Sequence, residues 1–222
     1  MGSEGVFQVD DTIKFPSDAS DRAVTRPDIR SLCVFAGSRM GLNGHFRAAA
    51  ERLGQLMAER GVRLVYGGGA IGLMGVLAKS VLDHGGEVTG IIPDFLMTLE
   101  VGDPGVTELI VVGSMHERKA RMFELSDGFV VLPGGLGTLD ETIEMATWKQ
   151  LQLHAKPIIA VNVDGYWDSL GTLLDAVVAG GFAHPAMPTL ISTVDTVDDV
   201  FDAAAAAPLP GREILLSHLQ GD

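Results

Sequence analysis

The chain of 222 residues is 46% hydrophobic, enough for a sizeable core, and its 28 glycines suit a fold with many tight turns. Its formal net charge of −13 argues against nucleic acid or an anionic membrane as the main partner, since both reward a basic surface. The sole cysteine, Cys33, cannot form an internal disulfide, so a reducing cytoplasm is the compartment that we expect.

Residues 1–30 are polar and aperiodic, and we expect a mobile tail there. From residue 31 onward short apolar runs alternate with amphipathic stretches, and no run of 18 or more apolar residues suggests a membrane span. Strands are predicted near 31–37, 63–67, 87–92, 108–113, 128–132, 157–162 and 189–193. Helices are predicted near 43–60, 72–84, 115–126, 138–154, 166–180 and 196–206. This order predicts an α/β domain over 31–207, a doubly wound, Rossmann-like parallel sheet of about seven strands with helices on both faces, and a C-terminal tail at 208–222.

A glycine-rich loop, Pro133-Gly134-Gly135-Leu136-Gly137, follows the apolar strand at 128–132 and leads into a helix. Glycines at such a junction let the backbone approach a ligand and point several N–H groups in one direction. Because the N-terminus of a helix attracts anions, the loop is a candidate phosphate site. The carboxylate of Glu141, one turn further on, does not improve anion binding and therefore suggests chemistry.

Glu141 also has a purely structural interpretation. Thr138-Leu139-Asp140-Glu141 matches the capping box, in which the glutamate would bond back to the N–H of Thr138 and stabilise the helix by about 1 kcal/mol. The substitution Glu141→Gln separates the two readings, since glutamine keeps the capping geometry and removes the charge.

A second glycine-rich segment, Gly67-Gly68-Gly69-Ala70-Ile71-Gly72, fits the dinucleotide fingerprint between a strand and a helix. The acidic residue at the expected spacing, Glu87, begins its strand and so falls at the wrong edge of the sheet for a ribose. A loop that forms the floor of a nucleotide pocket, with Gly68 near the ligand, is the interpretation that we favour, and a structural tight turn is the alternative.

A third segment, Ser114-Met115-His116-Glu117-Arg118-Lys119, contains a capping box that predicts a helix beginning at Met115. Arg118 and Lys119 then lie in its first turn, at the carboxyl edge of the sheet. Positive charge there opposes the helix dipole, a cost that a bound anion would offset. A solvated charged turn is the alternative.

Ser38 follows a strand without the surroundings of a nucleophile elbow, so we expect it to donate to a phosphate or ribose. The six histidines show no metal-ligand spacing, and we expect no metal. The helix at 138–154 is apolar on several sides, which predicts a dimer contact through Ile143, Met145, Ala146, Trp148 and Leu151.

The segments PGGLGTLDE, SMHERK and GGGAIGLMG together closely resemble the LONELY GUY (LOG) family, and the similarity runs from about Ser31 to Phe182. Its members are cytokinin riboside 5′-monophosphate phosphoribohydrolases that are often mislabelled as lysine decarboxylases. No recognisable lysine motif for a pyridoxal cofactor is present, and the resemblance implies no cofactor.

The resemblance implies the catalytic pair Arg118 and Glu141. It places the other substrate contacts at Glu100, Lys119, Thr147 and the loop formed by Gly134, Gly135, Leu136, Gly137, Thr138, Leu139 and Asp140. Two positions depart from the family: Leu136 stands where plant enzymes usually have tyrosine, and Asp140 replaces a common glutamate.

The expected function is hydrolysis of the N-glycosidic bond of purine riboside 5′-monophosphates, AMP included, to free base and ribose 5-phosphate. Glu141 would stabilise the positive charge that develops on the ribose, and Arg118 would position the phosphate or ribose. A non-catalytic nucleotide or molybdenum-cofactor carrier of the same fold is one alternative, and a dinucleotide-dependent oxidoreductase is another.

Overall fold

The computed structural model describes residues 28–97, 102–103, 105–211 and 213–214. Its strands are β1 (Ser31–Phe35), β2 (Arg63–Tyr66), β3 (Val88–Pro93), β4 (Glu108–Val112), β5 (Gly128–Val131), β6 (Ile158–Val161) and β7 (Ser192–Val194). The helices are α1 (Gly44–Glu59), α2 (Gly72–Asp83), α3 (Met115–Glu124), α4 (Leu136–Gln150), α5 (Asp168–Ala179) and α6 (Val200–Ala206). Short 3₁₀ turns lie at Asp94–Leu96, Val163–Gly165, Met187–Leu190 and Val197–Asp199.

The seven strands form one sheet in the order β4-β3-β2-β1-β5-β6-β7, and every neighbouring pair is parallel. The chain builds outward from β1 to β4 on one side and then returns to place β5 on the other side of β1. This reversal is the switch point at which doubly wound sheets bind their ligands. The predicted fold class is confirmed.

Alternating side chains of β1 pack into two hydrophobic cores, one on each face of the sheet. Leu32 and Val34 point into a cluster that includes buried side chains of α1, α2 and α6. Cys33 and Phe35 point into a second cluster, which contains Met122 of α3 and Met145 of α4. Covering helices on both faces explain why the strands read as continuous apolar runs.

Several predicted elements differ in their bounds, and α4 and the last strand show the physical reasons. α4 begins two residues before the predicted start and ends at Gln150 rather than 154, where Gln152 adopts a left-handed φ of 57° that a helix cannot continue. The last strand begins at Ser192 because Met187–Leu190 form a 3₁₀ turn whose Leu190 packs in a cluster with Ile214. Ile214 is buried although it lies in the predicted C-terminal tail.

Within the described ranges, no helix is both long enough and apolar enough to cross a membrane. The expected mobile tail lies outside the described residues, apart from 28–30.

Candidate active site

The loops that follow β1 and β5 meet at the switch point. The N–H of Gly37 donates to the carbonyl of Pro133 over 3.1 Å, and the N–H of Leu132 donates to the carbonyl of Phe35. A Cβ on Gly37 would lie 3.3 Å from the Cα of Gly134, a tight contact that would push the two backbones slightly apart. Ser38 is thereby placed beside the glycine-rich loop.

The glycine-rich loop forms the start of α4. Gly135, with extended φ and ψ of −100° and −153°, is the N-cap, and the N–H of Leu139 donates to its carbonyl over 3.0 Å. The N–H groups of Leu136, Gly137 and Thr138 therefore belong to the first turn, where a helix supplies no carbonyl partner. These groups lie where the sequence predicts an anion site.

This helix start corrects the capping-box interpretation of Glu141. Thr138 is not an N-cap but the third residue of α4, and its buried side chain packs against Gly134. Glu141 is the sixth residue of the helix, too far along to bond back to the helix start. Capping therefore does not explain the position of Glu141, because Gly135, and not Thr138, is the N-cap of the helix.

Two cavities share Ser38, Gly135 and Leu136 as common walls. The smaller, of about 220 Å³, contains both residues of the predicted catalytic pair. It is lined by Ala36, Ser38, Met74, Leu96, Met115, Arg118, Gly135, Leu136, Gly137, Thr138, Asp140 and Glu141. The larger, of about 600 Å³, is lined by Gly37, Ser38, Arg39, Gly41, Phe46, Leu73, Pro133, Gly134, Gly135, Leu136 and Tyr166.

Arg118 reaches the smaller cavity from the first turn of α3. Ser114 caps that helix by accepting a bond from the N–H of Glu117, as predicted. The Arg118 side chain is 4% exposed, and its Nη2 donates to the carbonyl oxygen of Gly67 over 2.8 Å. Such burial fixes the guanidinium beside the cavity that contains Glu141. α3 and the residue that follows β2 together therefore position a cation at a cavity that Glu141 also lines.

The segment Gly67–Gly72 accommodates neighbouring parts of the chain. A Cβ on Gly67 would collide with Nη2 of Arg118, and a Cβ on Gly72 would collide with the Ser38–Arg39 backbone. The N–H groups of Leu73 and Met74, at the start of α2, both donate to the carbonyl of Gly37.

The fingerprint interpretation of that segment therefore lacks support. The N–H groups of Leu73 and Met74 are already bonded and cannot cradle a pyrophosphate. Glu87 forms an ion pair with Arg63 just before β3, at the edge of the sheet away from the cavities. Gly68 lies against Ile91 and Ile92 and lines neither cavity, so its predicted substrate contact is not visible in this arrangement.

Comparison with known proteins identifies the family. A family model described as "Possible lysine decarboxylase" matches residues 74–204. The probable cytokinin riboside 5′-monophosphate phosphoribohydrolase LOGL1 of Oryza sativa subsp. japonica is 49% identical over 168 residues, which cover 75% of each chain. The chain belongs to the LOG family. Among its other members, LOG of the same rice is 46% identical (75% of this chain, 69% of the relative), and LOG3 of Arabidopsis thaliana is 44% identical (76% and 79%).

Solved structures share the fold of this LOG-family chain at low sequence identity. A molybdenum cofactor carrier protein of Chlamydomonas reinhardtii superposes with a TM-score of 0.60 at 21% identity, covering 80% of this chain and 96% of the carrier. A molybdenum cofactor binding protein of Rippkaea orientalis gives a TM-score of 0.59 at 22% identity, covering 79% and 95%. At this level of identity the likeness concerns the fold alone.

Three contacts that the LOG resemblance implies do not line either cavity. Lys119 is held by carboxylates of α4, 3.3 Å from Asp140 and 3.0 Å from Glu144, and these hydrogen bonds outweigh partial burial to raise its pKa. Thr147 is exposed and donates to the carbonyl of Ile143. Leu139 is half-buried against the second core. Glu100 lies outside the described residues.

Three residues that the sequence analysis did not select line the larger cavity: Arg39, Phe46 and Tyr166. Arg39 directly follows Ser38 in the loop after β1, and this position in the sequence could have marked it as a candidate binding residue. The two aromatic rings meet edge to face with centroids 5.2 Å apart, and they come from segments 120 residues apart in the sequence. Only the packing of α1 against the loop after β6 brings them together.

Proposed function

We propose that this LOG-family chain hydrolyses the N-glycosidic bond of purine riboside 5′-monophosphates, including cytokinin riboside monophosphates and AMP. The observation that carries the proposal is the single cavity in which the open N-terminus of α4, Arg118 and Glu141 are all wall residues. The names of the LOG relatives support the same reaction for this chain.

In the proposed complex the 5′-phosphate binds the N–H groups of Leu136, Gly137 and Thr138 at the positive end of α4. Ser38 and Arg39, on the facing loop, donate to the same group. Binding of the phosphate holds the ribose between Arg118 and Glu141. The reacting groups are then already positioned, which lowers the entropic part of the activation barrier.

As the bond from C1′ to the base nitrogen breaks, its electron pair leaves with the base, which takes up a proton. The positive charge that grows on the ribose ring is stabilised by the carboxylate of Glu141, which also holds the attacking water. Water adds its oxygen to C1′ and loses a proton, which yields ribose 5-phosphate. Arg118 holds the phosphate or ribose and needs no proton transfer, since guanidinium stays charged.

Base release tests the proposal. Wild type and Glu141→Gln are incubated with AMP, with isopentenyladenosine monophosphate and with adenosine, and the free base is quantified by chromatography. Wild type should release base from both monophosphates and adenosine should be a poor substrate, whereas Glu141→Gln should lose about 10²–10³-fold in kcat. Glu51→Gln, an exposed change on α1, is the control.

Binding of AMP without any base release would instead favour a nucleotide carrier. Equal turnover of AMP and adenosine would show that the 5′-phosphate does not position the substrate. Equal rates for wild type and Glu141→Gln would show that the carboxylate of Glu141 does not contribute to catalysis.

We also propose a cytoplasmic homodimer. Of the side chains that the sequence predicts for the contact, Met145 is buried in the second core, and Ala146 and Trp148 pack against that core. The dimer is supported by the exposed apolar side chains of Ile143 (40% exposed) and Leu151 (43%), and by Leu153 (66%) just after α4, which the sequence analysis did not select. The compartment is supported by the single cysteine, Cys33, which is buried and free.

A further inference from the structure

Tyr166 connects the loop after β6 to the glycine-rich loop. Its hydroxyl donates to the carbonyl oxygen of Gly134 over 2.6 Å, across 32 residues of sequence. Its ring packs edge to face on Phe46, at 5.2 Å, and on Trp167, at 4.8 Å. Two aromatic neighbours and one short hydrogen bond therefore fix where this side chain stands.

The backbone that carries Tyr166 is itself held from α1. Asp164 adopts a left-handed φ of 52°, which aspartate tolerates better than most residues, and Gly165 follows with a φ of 74°. The Asp164 carboxylate accepts bonds from His45 and from Asn43, the N-cap residue of α1, and these bonds lower its pKa. This loop is thus tied to the helix on the far side of the cavity.

The hydrogen bond to Gly134 fixes the orientation of a peptide group. In a trans peptide the carbonyl and the following N–H point in opposite directions. When Tyr166 holds the carbonyl of Gly134, the N–H of Gly135 must point away from Tyr166. The next N–H groups along the chain are those of the first turn of α4, so the orientation of this peptide decides whether the N–H of Gly135 lies with them.

Little else restrains that peptide on the Gly135 side. A Cβ built on Gly135 would meet nothing within 4 Å, so this side of the loop has no close packing around its Cα. Gly134, by contrast, is packed against the Thr138 side chain. Two consecutive glycines can flip the peptide between them at low steric cost, and a flipped peptide would present a carbonyl oxygen where an anion should bind.

We propose that Tyr166 is a positioning residue that holds the Gly134–Gly135 peptide in its anion-binding orientation and thereby sets the affinity for the 5′-phosphate. This inference rests on the proposed function, because it assumes that the N-terminus of α4 receives a phosphate. It adds a residue, from a different loop, that acts through the backbone without touching the reacting atoms.

The test is Tyr166→Phe, which removes one oxygen and keeps the ring. The matched control is Tyr66→Phe at the other tyrosine of the chain, whose buried hydroxyl has no hydrogen-bond partner among the described residues. For each protein, KM and kcat are measured with AMP, and Kd is measured for ribose 5-phosphate by calorimetry.

Loss of the hydroxyl should raise KM for AMP and Kd for ribose 5-phosphate by about tenfold, with kcat within about twofold of wild type. Tyr66→Phe should change none of the three. A merely structural role would lower kcat and the thermal midpoint instead. Unchanged KM and Kd in Tyr166→Phe, or a loss confined to kcat, would overturn the inference.

The calorimetric measurement separates this inference from the proposed function. If wild type released no base from AMP, the proposed function would fail, and a tenfold loss of ribose 5-phosphate affinity in Tyr166→Phe would still support the positioning role. If wild type bound no ribose 5-phosphate, the positioning role would fail whatever the activity.

Discussion

The carbonyl oxygen of Gly67 accepts a 2.8 Å hydrogen bond from Nη2 of Arg118, which lies 51 residues later in the chain. The end of β2 thus holds the side chain that we place against the substrate. Because any Cβ at position 67 would occupy the space of that nitrogen, a larger residue there would force the guanidinium of Arg118 to move.

Gly67→Ala should therefore displace Arg118 and lower kcat/KM for AMP by about tenfold or more, since misplacing one catalytic group by 1 Å can cost 10²-fold. Steady-state kinetics measure the effect. Gly171→Ala is the control, because a Cβ on this α5 glycine meets nothing within 4 Å and alanine favours a helix. Full activity in Gly67→Ala would show that Arg118 is not constrained as described.

Arg39 provides a second prediction. It lines the larger cavity and forms no ion pair with any residue in the described part of the chain, whereas Arg47, Arg52 and Arg63 are each paired with a carboxylate. An arginine left uncompensated beside the start of α4 suits a phosphate.

Arg39→Ala should raise KM for AMP about tenfold. The KM of Arg39→Lys should lie between those of Arg39→Ala and wild type, because lysine keeps the charge but lacks the planar guanidinium. The difference from wild type should shrink as salt is added. Arg47→Ala, which breaks a surface pair, should leave KM unchanged. A KM insensitive to both changes at position 39 would exclude Arg39 from the phosphate site.

His154 makes the stability depend on pH. Burial lowers its pKa to about 4, and its ring accepts from the N–H of Lys156 at Nδ1 while Nε2 faces the carbonyl of Met145. That arrangement suits the neutral ring with its proton on Nε2. The unfolded chain has an ordinary histidine, so it binds the proton first as the pH falls.

The free energy of unfolding should accordingly be highest above about pH 6.5 and decrease toward pH 4. His154 contributes at most about 3 kcal/mol to that decrease. Urea unfolding at pH 7.5 and pH 5 measures the change, and His154→Gln should show a smaller difference between the two pH values. An identical difference in both proteins would contradict the assignment.

The proposed dimer can be tested through its exposed apolar side chains. The double variant Ile143→Glu with Leu153→Glu would bury two charges in the contact and should shift the sedimentation mass from dimer to monomer. Leu173→Glu, at an exposed position of α5 that is 58% exposed, should leave the mass unchanged. A dimer that survives the double variant would move the contact away from α4.

The order of strands and helices follows from apolar runs and amphipathic periods, which are local properties, and the sequence therefore predicts it well. The capping of α3 is equally local, because Ser114 and Glu117 are three residues apart. The capping role suggested for Thr138 is wrong, although the residues at 138–141 match the capping-box pattern. Gly135 already serves as the N-cap, and no pattern within four residues reveals which of two caps the tertiary packing uses.

The sequence by itself determined the α/β architecture, the glycine loop at the end of β5 and the candidate pair Arg118 and Glu141. The tertiary structure decided that Gly67 holds the arginine, that Lys119 pairs with α4, and that Tyr166 reaches Gly134. The physical reason is distance along the chain. Periodicity and capping act within one or two turns, whereas these contacts join residues at least 25 positions apart that come together only when the chain has folded around the sheet.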